Sequence, residues 1–454
     1  MTRSRSTFQS IFRNVSMLTL GRVLTALCSF VYMAFAVRAL GLSDFGLLIL
    51  IHSLAMTGST LSRLQTWQTL IRFGSDAFFD GEMGRFRQVV SFCIRLDGLS
   101  ALVALALSLV VVILYAPSVG WTHHERTLAL LYACVAPFMY TGWCHGVLRL
   151  AGKFRLVPIT DGFTAFGKMC GVLLAYALHL GVGWFLLIWA AAVLFDYGLY
   201  TAFALSILRT RASFGYFEAF RHWRWKGEGM WAFTRGVSLN QTLASASTHV
   251  ATLIVGKQIG TAEAAVFRVC RQIASGIVTP AQLISPVLYP ELVKMRDRQD
   301  WTGLRKVTLS IFGILIAISA FLILLTAVAG SHIFRALLHV HVLHTSFYIT
   351  MMLLAAIFSL LIVPLEPLLI VTGQLRLLVR TRVFVTLLYF PALYLLTRYF
   401  HLTGACLATL ASSAAVFLSC LVGAVVFSRR LGRSGQAGPN GAMDQSEPAQ
   451  EGGR

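Results

Sequence analysis

Apolar runs of membrane-crossing length recur along the whole chain, separated by short polar links. Twelve of them fall at about 14–38, 46–68, 89–115, 127–148, 157–178, 183–208, 233–256, 262–288, 307–330, 347–372, 377–398 and 402–428. At 1.5 Å per helical residue, each is long enough to cross a hydrocarbon core of about 30 Å. No water is present there to satisfy backbone N–H and C=O groups, so the segments must be helical. The pattern predicts an all-α integral membrane protein with about 12 transmembrane helices. The links are too short to hold an extracellular catalytic domain, and no P-loop, HExxH or GxSxG motif occurs. A polymerase, ligase or glycosyltransferase is therefore not expected, and neither is another enzyme or a cofactor.

Composition agrees with this reading. Of 454 residues, 57% are hydrophobic and 12% charged, against roughly half and a quarter in soluble domains. The net charge of +20 would suggest a polyanion partner in a soluble protein. Here the placement of the charges decides. With the N-terminus in the cytoplasm, 26 of the 38 Lys and Arg lie in inside segments and five in outside segments (Arg38, Arg126, Lys257, Arg335, Arg398), the other seven lying within spans. That bias follows the positive-inside rule, and an even number of spans puts both termini inside. Basic loops facing anionic headgroups account for the charge, so membrane lipids are expected as partners and nucleic acid is not.

The first apolar run is too long for a signal peptide, although Ala34-Phe35-Ala36 has the look of a cleavage site. The eight Cys lie within spans without a CxxC pair and read as packing residues. His339, His341 and His344 lack a nearby acid or Cys and read as a loop face, so no metal site is expected.

The chain also resembles itself. Gly41-Leu42-Ser43-Asp44-Phe45-Gly46 after the first span is matched 219 residues on by Gly260-Thr261-Ala262-Glu263-Ala264-Ala265 after the seventh. Gly152-Lys153-Phe154-Arg155 and Gly373-Gln374-Leu375-Arg376 are 221 apart, as are Gly183 and Gly404. Three matches in order at nearly one offset indicate a duplication. Six spans per copy give both halves the same orientation, so two six-helix bundles should face each other around a central cavity. The expected organisation is a cytoplasmic N-terminus at 1–13, an N-terminal bundle at 14–208, a cytoplasmic linker at 209–232, a C-terminal bundle at 233–428 and a disordered cytoplasmic tail at 429–454, rich in Gly, Pro, Gln and Ser.

Ionisable residues within spans are costly and mark functional sites. Arg22 lies in span 1, Arg63 and Arg235 near the inner ends of spans 2 and 7, and Arg268 and Arg271 about 9 and 14 Å into span 8. The three-residue spacing of the last two puts both guanidiniums on one helix face. Few acids stand at matching depth, so the intramembrane balance is cationic. Snorkelling to headgroups is the ordinary explanation, whereas a wet cationic cavity meeting an anion suits the planar guanidinium fork. Lys168 and Asp196, midway along spans 5 and 6, are expected to form a buried ion pair, either fixing helix register or serving ion coupling. Pro364 and Pro367 flank Glu366 at the end of span 10, and Pro280, Pro286 and Pro290 interrupt span 8.

The glycine turn at 41–46, the Gly152 and Gly373 turns, Pro286-Val287-Leu288-Tyr289-Pro290-Glu291-Leu292 and the two sets of six spans resemble the polysaccharide-transport branch of the multidrug, oligosaccharidyl-lipid and polysaccharide exporter superfamily. That resemblance implies a flippase moving an undecaprenyl-pyrophosphate-linked oligosaccharide across a bacterial inner membrane for lipopolysaccharide O-antigen, capsule or exopolysaccharide. Polysaccharide polymerase and glycosyltransferases are the partners it implies. Lipid II flippases of the superfamily use arginines in helices 1, 2 and 8, where Arg22, Arg63 and Arg268 or Arg271 stand here. The multidrug branch relies on an acid in helix 1 or 7, and those spans hold none. A cation-coupled exporter of small molecules and a non-transporting component of a glycan-assembly complex are the alternatives.

The topology is testable directly. In intact cells an impermeant thiol reagent should label Ser118→Cys and leave Ser213→Cys untouched, and the reverse pattern would overturn the orientation.

Overall fold

The computed structural model describes residues 2–153, 155–221, 229–278, 288, 292, 295, 298–338, 345–372 and 374–434. They form thirteen α-helices: α1 (Thr2–Ser62), α2 (Thr66–Phe79), α3 (Met83–Val119), α4 (His123–Ala133), α5 (Gly142–Leu150), α6 (Leu156–Ala177), α7 (Val182–Ala212), α8 (Glu218–Arg221), α9 (Met230–Ile259), α10 (Thr261–Val278), α11 (Trp301–Leu338), α12 (Thr345–Val371) and α13 (Leu375–Ser434), with a 3₁₀ turn at Ala136–Phe138. No strand occurs among the described residues. Among the described residues, seven stretches are long and apolar enough to cross a membrane, and two of them, Val23–Phe79 and Leu377–Val426, run to 57 and 50 residues. The less apolar α6, α9 and α10 complete the all-α, two-lobed arrangement. Large apolar side chains such as Leu102, Leu114, Trp184, Phe195, Phe321 and Phe384 are exposed on the outer helix faces, as a surface bathed in lipid requires.

The duplication is visible in the backbone. α1 bends at Gly41 (φ 73°, ψ 175°), and α9 passes into α10 at Gly260 (φ 119°, ψ 173°), both in a region that favours glycine. These equivalent turns meet. Ser43 Oγ lies 3.3 Å from Thr261 Oγ1, and a Cβ on Gly46 would collide with the Thr261 carbonyl. A second equivalence is carried in the sequence by the His-Leu pairs at 179–180 and 401–402. The turns before α7 and within α13 are made by His179 (φ 52°) and His401 (φ 50°), left-handed residues 222 apart, while Gly183 and Gly404 follow inside the helices. Gly152 has φ 69°, but its counterpart Gly373 lies outside the described residues, as do Pro280, Pro286, Pro290, His339, His341, His344 and the tail beyond 434.

Two expected spans are discontinuous. Span 2 breaks at 63–65 and resumes as α2; span 4 is α4, the 3₁₀ turn and α5. Pro137, which has no N–H to donate, sits in the second break. α4 itself starts on a capping box, in which Thr122 Oγ1 accepts the Glu125 N–H and Glu125 Oε2 accepts the Thr122 N–H at 2.7 Å. Beside the breaks, α2, α5 and the near ends of α3 and α7 enclose a separate apolar core around Leu70, Phe86, Ile94, Leu148 and Tyr200. The main core runs across both halves, from Leu48, Leu50 and Leu54 on α1 to Val255 on α9 and Phe267 on α10. The halves are therefore packed together at the Gly41–Gly260 end, where Tyr115 also donates to the Leu253 carbonyl at 2.8 Å.

Because overpacking typically costs about 1–3 kcal/mol, Gly46→Ala should lower the unfolding temperature in detergent. Gly84→Ala, whose Cβ meets nothing within 4 Å, should not.

Candidate functional site

Each half holds a polar cavity. In the N-terminal half, α1, α4, α6 and α7 enclose about 320 Å³ lined by Tyr32, His52, Tyr132, Asp161, Lys168 and Asp196 among others. The Lys168 ammonium sits 3.6 Å from the centre of the Trp189 ring and 4.4 Å from that of Tyr32, a cation–π arrangement. Asp196 accepts a hydrogen bond from Thr164 Oγ1 at 3.0 Å, and Asp161 accepts one from Tyr200 at 2.6 Å. The expected Lys168–Asp196 ion pair is thus not formed. Both residues line one cavity, but the two aromatic faces hold the ammonium while a neighbouring hydroxyl serves the carboxylate. His52 Nδ1 lies 2.9 Å from the Tyr132 hydroxyl, completing a polar wall.

In the C-terminal half, α9, α10, α12 and α13 enclose about 590 Å³. Hydroxyls dominate its lining: Ser247, Thr248, Ser359, Thr386, Tyr389, Thr409, Ser412 and Ser413. Arg271 enters from α10, donating to Thr248 Oγ1 at 3.1 Å without an acid partner among the described residues. Arg382 donates to Glu366 Oε2 at 3.0 Å across the same cavity.

Three of the arginines expected to act together stand around His249 of α9: the charges of Arg268, Arg271 and Arg63 all act on it, and that of Arg271 acts on Arg268. α10, which carries Arg268 and Arg271, packs against both α1 and α12. Arg268 is half-buried, its charge acts on Tyr32, and it makes no hydrogen bond or ion pair to the described residues. Arg271 opens into the C-terminal cavity. Arg63 stands in the break after α1, its guanidinium 4.4 Å from the Tyr140 ring centre, and lines neither cavity. Arg235 is exposed and lies over Trp231 of its own helix. The Arg22 side chain is outside the described residues. The structure also corrects the expected scarcity of acids, because Asp97, Asp161, Asp196 and Glu366 all stand at cavities or breaks. Asp97 and Asp161 interrupt apolar runs, and that signal could have found them. Arg382 looked like a loop charge, since its helix begins only at Leu375.

Comparison with known proteins fits this geometry. No family model matches the chain. It is 27% identical to the inner membrane protein YghQ of Escherichia coli K12 over 296 residues, 64% of this chain and 82% of that protein. Among solved structures, it shares the fold of a multidrug resistance MATE family transporter of the MOP superfamily. The inward-facing form gives a TM-score of 0.69 at 12% identity, over 92% of this chain and 96% of that one. The outward-facing form gives 0.58 at 15% identity over the same shares. The fold is thus that of the MATE transporters, in a multi-pass membrane protein.

Arg382→Met should destabilise the protein by about 1–3 kcal/mol, because it leaves the Glu366 carboxylate without its cation. The double variant with Glu366→Gln should recover most of that loss in thermal unfolding, which a double-mutant cycle would measure.

Proposed function

We propose that the chain is a flippase that carries an undecaprenyl-pyrophosphate-linked oligosaccharide across the bacterial inner membrane for lipopolysaccharide O-antigen, capsule or exopolysaccharide synthesis, working beside polymerase and glycosyltransferases. The observation that carries this reading is the C-terminal cavity, where eight hydroxyl side chains surround Arg271. A hydroxyl-rich wall suits the alternating donors and acceptors of a sugar, and a guanidinium without an acid suits phosphate oxygens. Arg268, three residues away on the same helix, within reach of the Arg271 charge and without a hydrogen bond or ion pair among the described residues, and Arg22 on α1 would complete the pyrophosphate site. Arg63, whose charge reaches the same His249 from the break after α1, would add to its positive field, whereas Arg235 is exposed on its own helix. The better fit to the inward-facing relative and the packed Gly41–Gly260 end support loading from the cytoplasmic face. An inside-negative potential favours outward movement of an anion by about 2.3 kcal/mol per charge per 100 mV, provided that the arginines stay behind.

A second reading, cation-coupled export of a small molecule, draws on Asp161 and Asp196 in the aromatic-walled N-terminal cavity. Efflux of a cationic dye that fails in Asp196→Asn would favour it.

In proteoliposomes with a fluorescent undecaprenyl-pyrophosphate oligosaccharide, Arg271→Ala should slow flipping by about 10- to 100-fold, the equivalent of about 1.5–3 kcal/mol. Arg271→Lys should recover only part, since lysine lacks the fork. Unchanged flipping in the Arg22→Ala, Arg268→Ala, Arg271→Ala variant would reject the assignment.

A further inference from the structure

Where spans 2 and 4 both break, a buried polar cluster remains that neither cavity uses. Asp97 of α3 accepts the Trp143 N–H at the start of α5 with Oδ2, at 2.8 Å. Its Oδ1 has no hydrogen-bond partner, and the same is true of Arg63 Nε, Thr66 Oγ1 and Tyr140 Oη, all of them buried. The four groups are neighbours. A Cβ on Gly142 would touch both Thr66 Oγ1 and the Tyr140 ring, Arg63 lies over that ring, and the charges of Asp97 and Arg63 act on each other. Native proteins rarely leave so many buried polar atoms unpaired, and such a cluster calls for a functional explanation.

We propose that Asp97 is a proton-binding site whose occupancy controls the docking of α9 onto α2. In the arrangement observed, Arg63 is held on Tyr140 and makes no ion pair with Asp97. A buried carboxylate with no cation paired to it is strongly disfavoured even with hydroxyls beside it, whereas a neutral carboxyl carries no charge to bury and can exchange hydrogen bonds with the Thr66 and Tyr140 hydroxyls. When that O–H bond breaks, the proton passes to water and the negative charge stays on Asp97. The carboxylate then attracts the Arg63 guanidinium away from the Tyr140 ring. Arg63 belongs to the three-residue break at 63–65, so its movement displaces Gln65 and the start of α2.

That displacement is felt by the other half of the molecule. The Gln65 N–H donates to Ser238 Oγ of α9 at 2.8 Å, and the Thr69 and Thr234 hydroxyls are 2.8 Å apart, both contacts buried. Phe73 packs edge-on against Phe233, and Arg72 lies over the same ring. Protonated Asp97 therefore accompanies the docked state and ionised Asp97 the undocked one. The proposal does not depend on the identity of the cargo.

Other groups face Asp97. Cys93 lies on its own helix, Cys144 on α5, Tyr197 on α7 and Tyr216 just before α8. Thiols and phenols of this kind ordinarily titrate well above carboxylates. His145 of α5, tilted against Tyr200 and near Arg63 and Arg149, is the group here whose ordinary range lies near neutrality, and Asp97→Asn leaves it in place.

The test uses spin labels on Asp76→Cys and Ala232→Cys, exposed positions of α2 and α9, in a background without the native cysteines. Distances are measured in nanodiscs across pH. The short-distance population should fall as pH rises. Asp97→Asn, which keeps an acceptor for the Trp143 N–H, should remain docked throughout. Arg63→Met, which removes the cation that the carboxylate attracts but leaves the carboxyl, should likewise remain docked across pH. A distance distribution independent of pH in the parent protein, or a pH dependence that survives Asp97→Asn, would overturn the proposal. Should Asp97→Asn not fold, Arg63→Met decides: undocking with the parent's pH dependence rejects the proposal.

Discussion

A chain immersed in hydrocarbon must satisfy every backbone N–H and C=O from within, and this requirement governs the whole molecule. It makes the apolar runs helices, and it permits irregular backbone only where protein shields it. The breaks at 63–65 and 134–141 obey that condition. They face each other, are enclosed by α3 and α7, and each hands a new helix start to a polar partner: Asp97 caps α5, and the Gln65 N–H at the start of α2 is taken by Ser238 of α9. Interrupting a helix inside a membrane thus supplies the polar groups from which an internal site can be made.

The duplication solves a second problem, that of holding two bundles together without fusing them. Equivalent glycine turns at 41 and 260 let the halves approach until backbone meets backbone at Gly46 and Thr261. Away from this contact the halves hold their polar side chains in separate cavities, with α10 between them. Its two arginines, three residues apart, act on each other and together on His249 of α9, while Arg268 also acts on Tyr32 of the N-terminal half and Arg271 opens among the hydroxyls of the C-terminal cavity.

The cavities differ in chemistry more than in size. The N-terminal one confines a lysine between aromatic faces and gives its two acids hydroxyl partners, so its charges are individually satisfied. In the C-terminal one, Arg382 and Glu366 neutralise each other and Arg271 is left with a threonine, so a positive charge remains for an incoming group. Hydroxyls surround that charge.

Periodicity, length and the distribution of basic residues determined the helical class, the span positions and the repeat, because the bilayer imposes those properties on each segment separately. The Gly41 and Gly260 turns were legible for the same reason, since only the local backbone conformation demands glycine. His179 and His401 are a different case: the His-Leu pair recurs at 179–180 and 401–402, but the positive φ of a histidine is dictated by how the flanking helices pack. Spacing did not reveal which charges meet. Lys168 and Asp196 stand at matching depth on adjacent helices, yet the rings of Tyr32 and Trp189 hold the lysine, and Asp97 finds its partners through two helix breaks that only the folded protein brings together. Side-chain pairing inside a membrane depends on helix rotation and on where helices stop, and those are decided by tertiary packing.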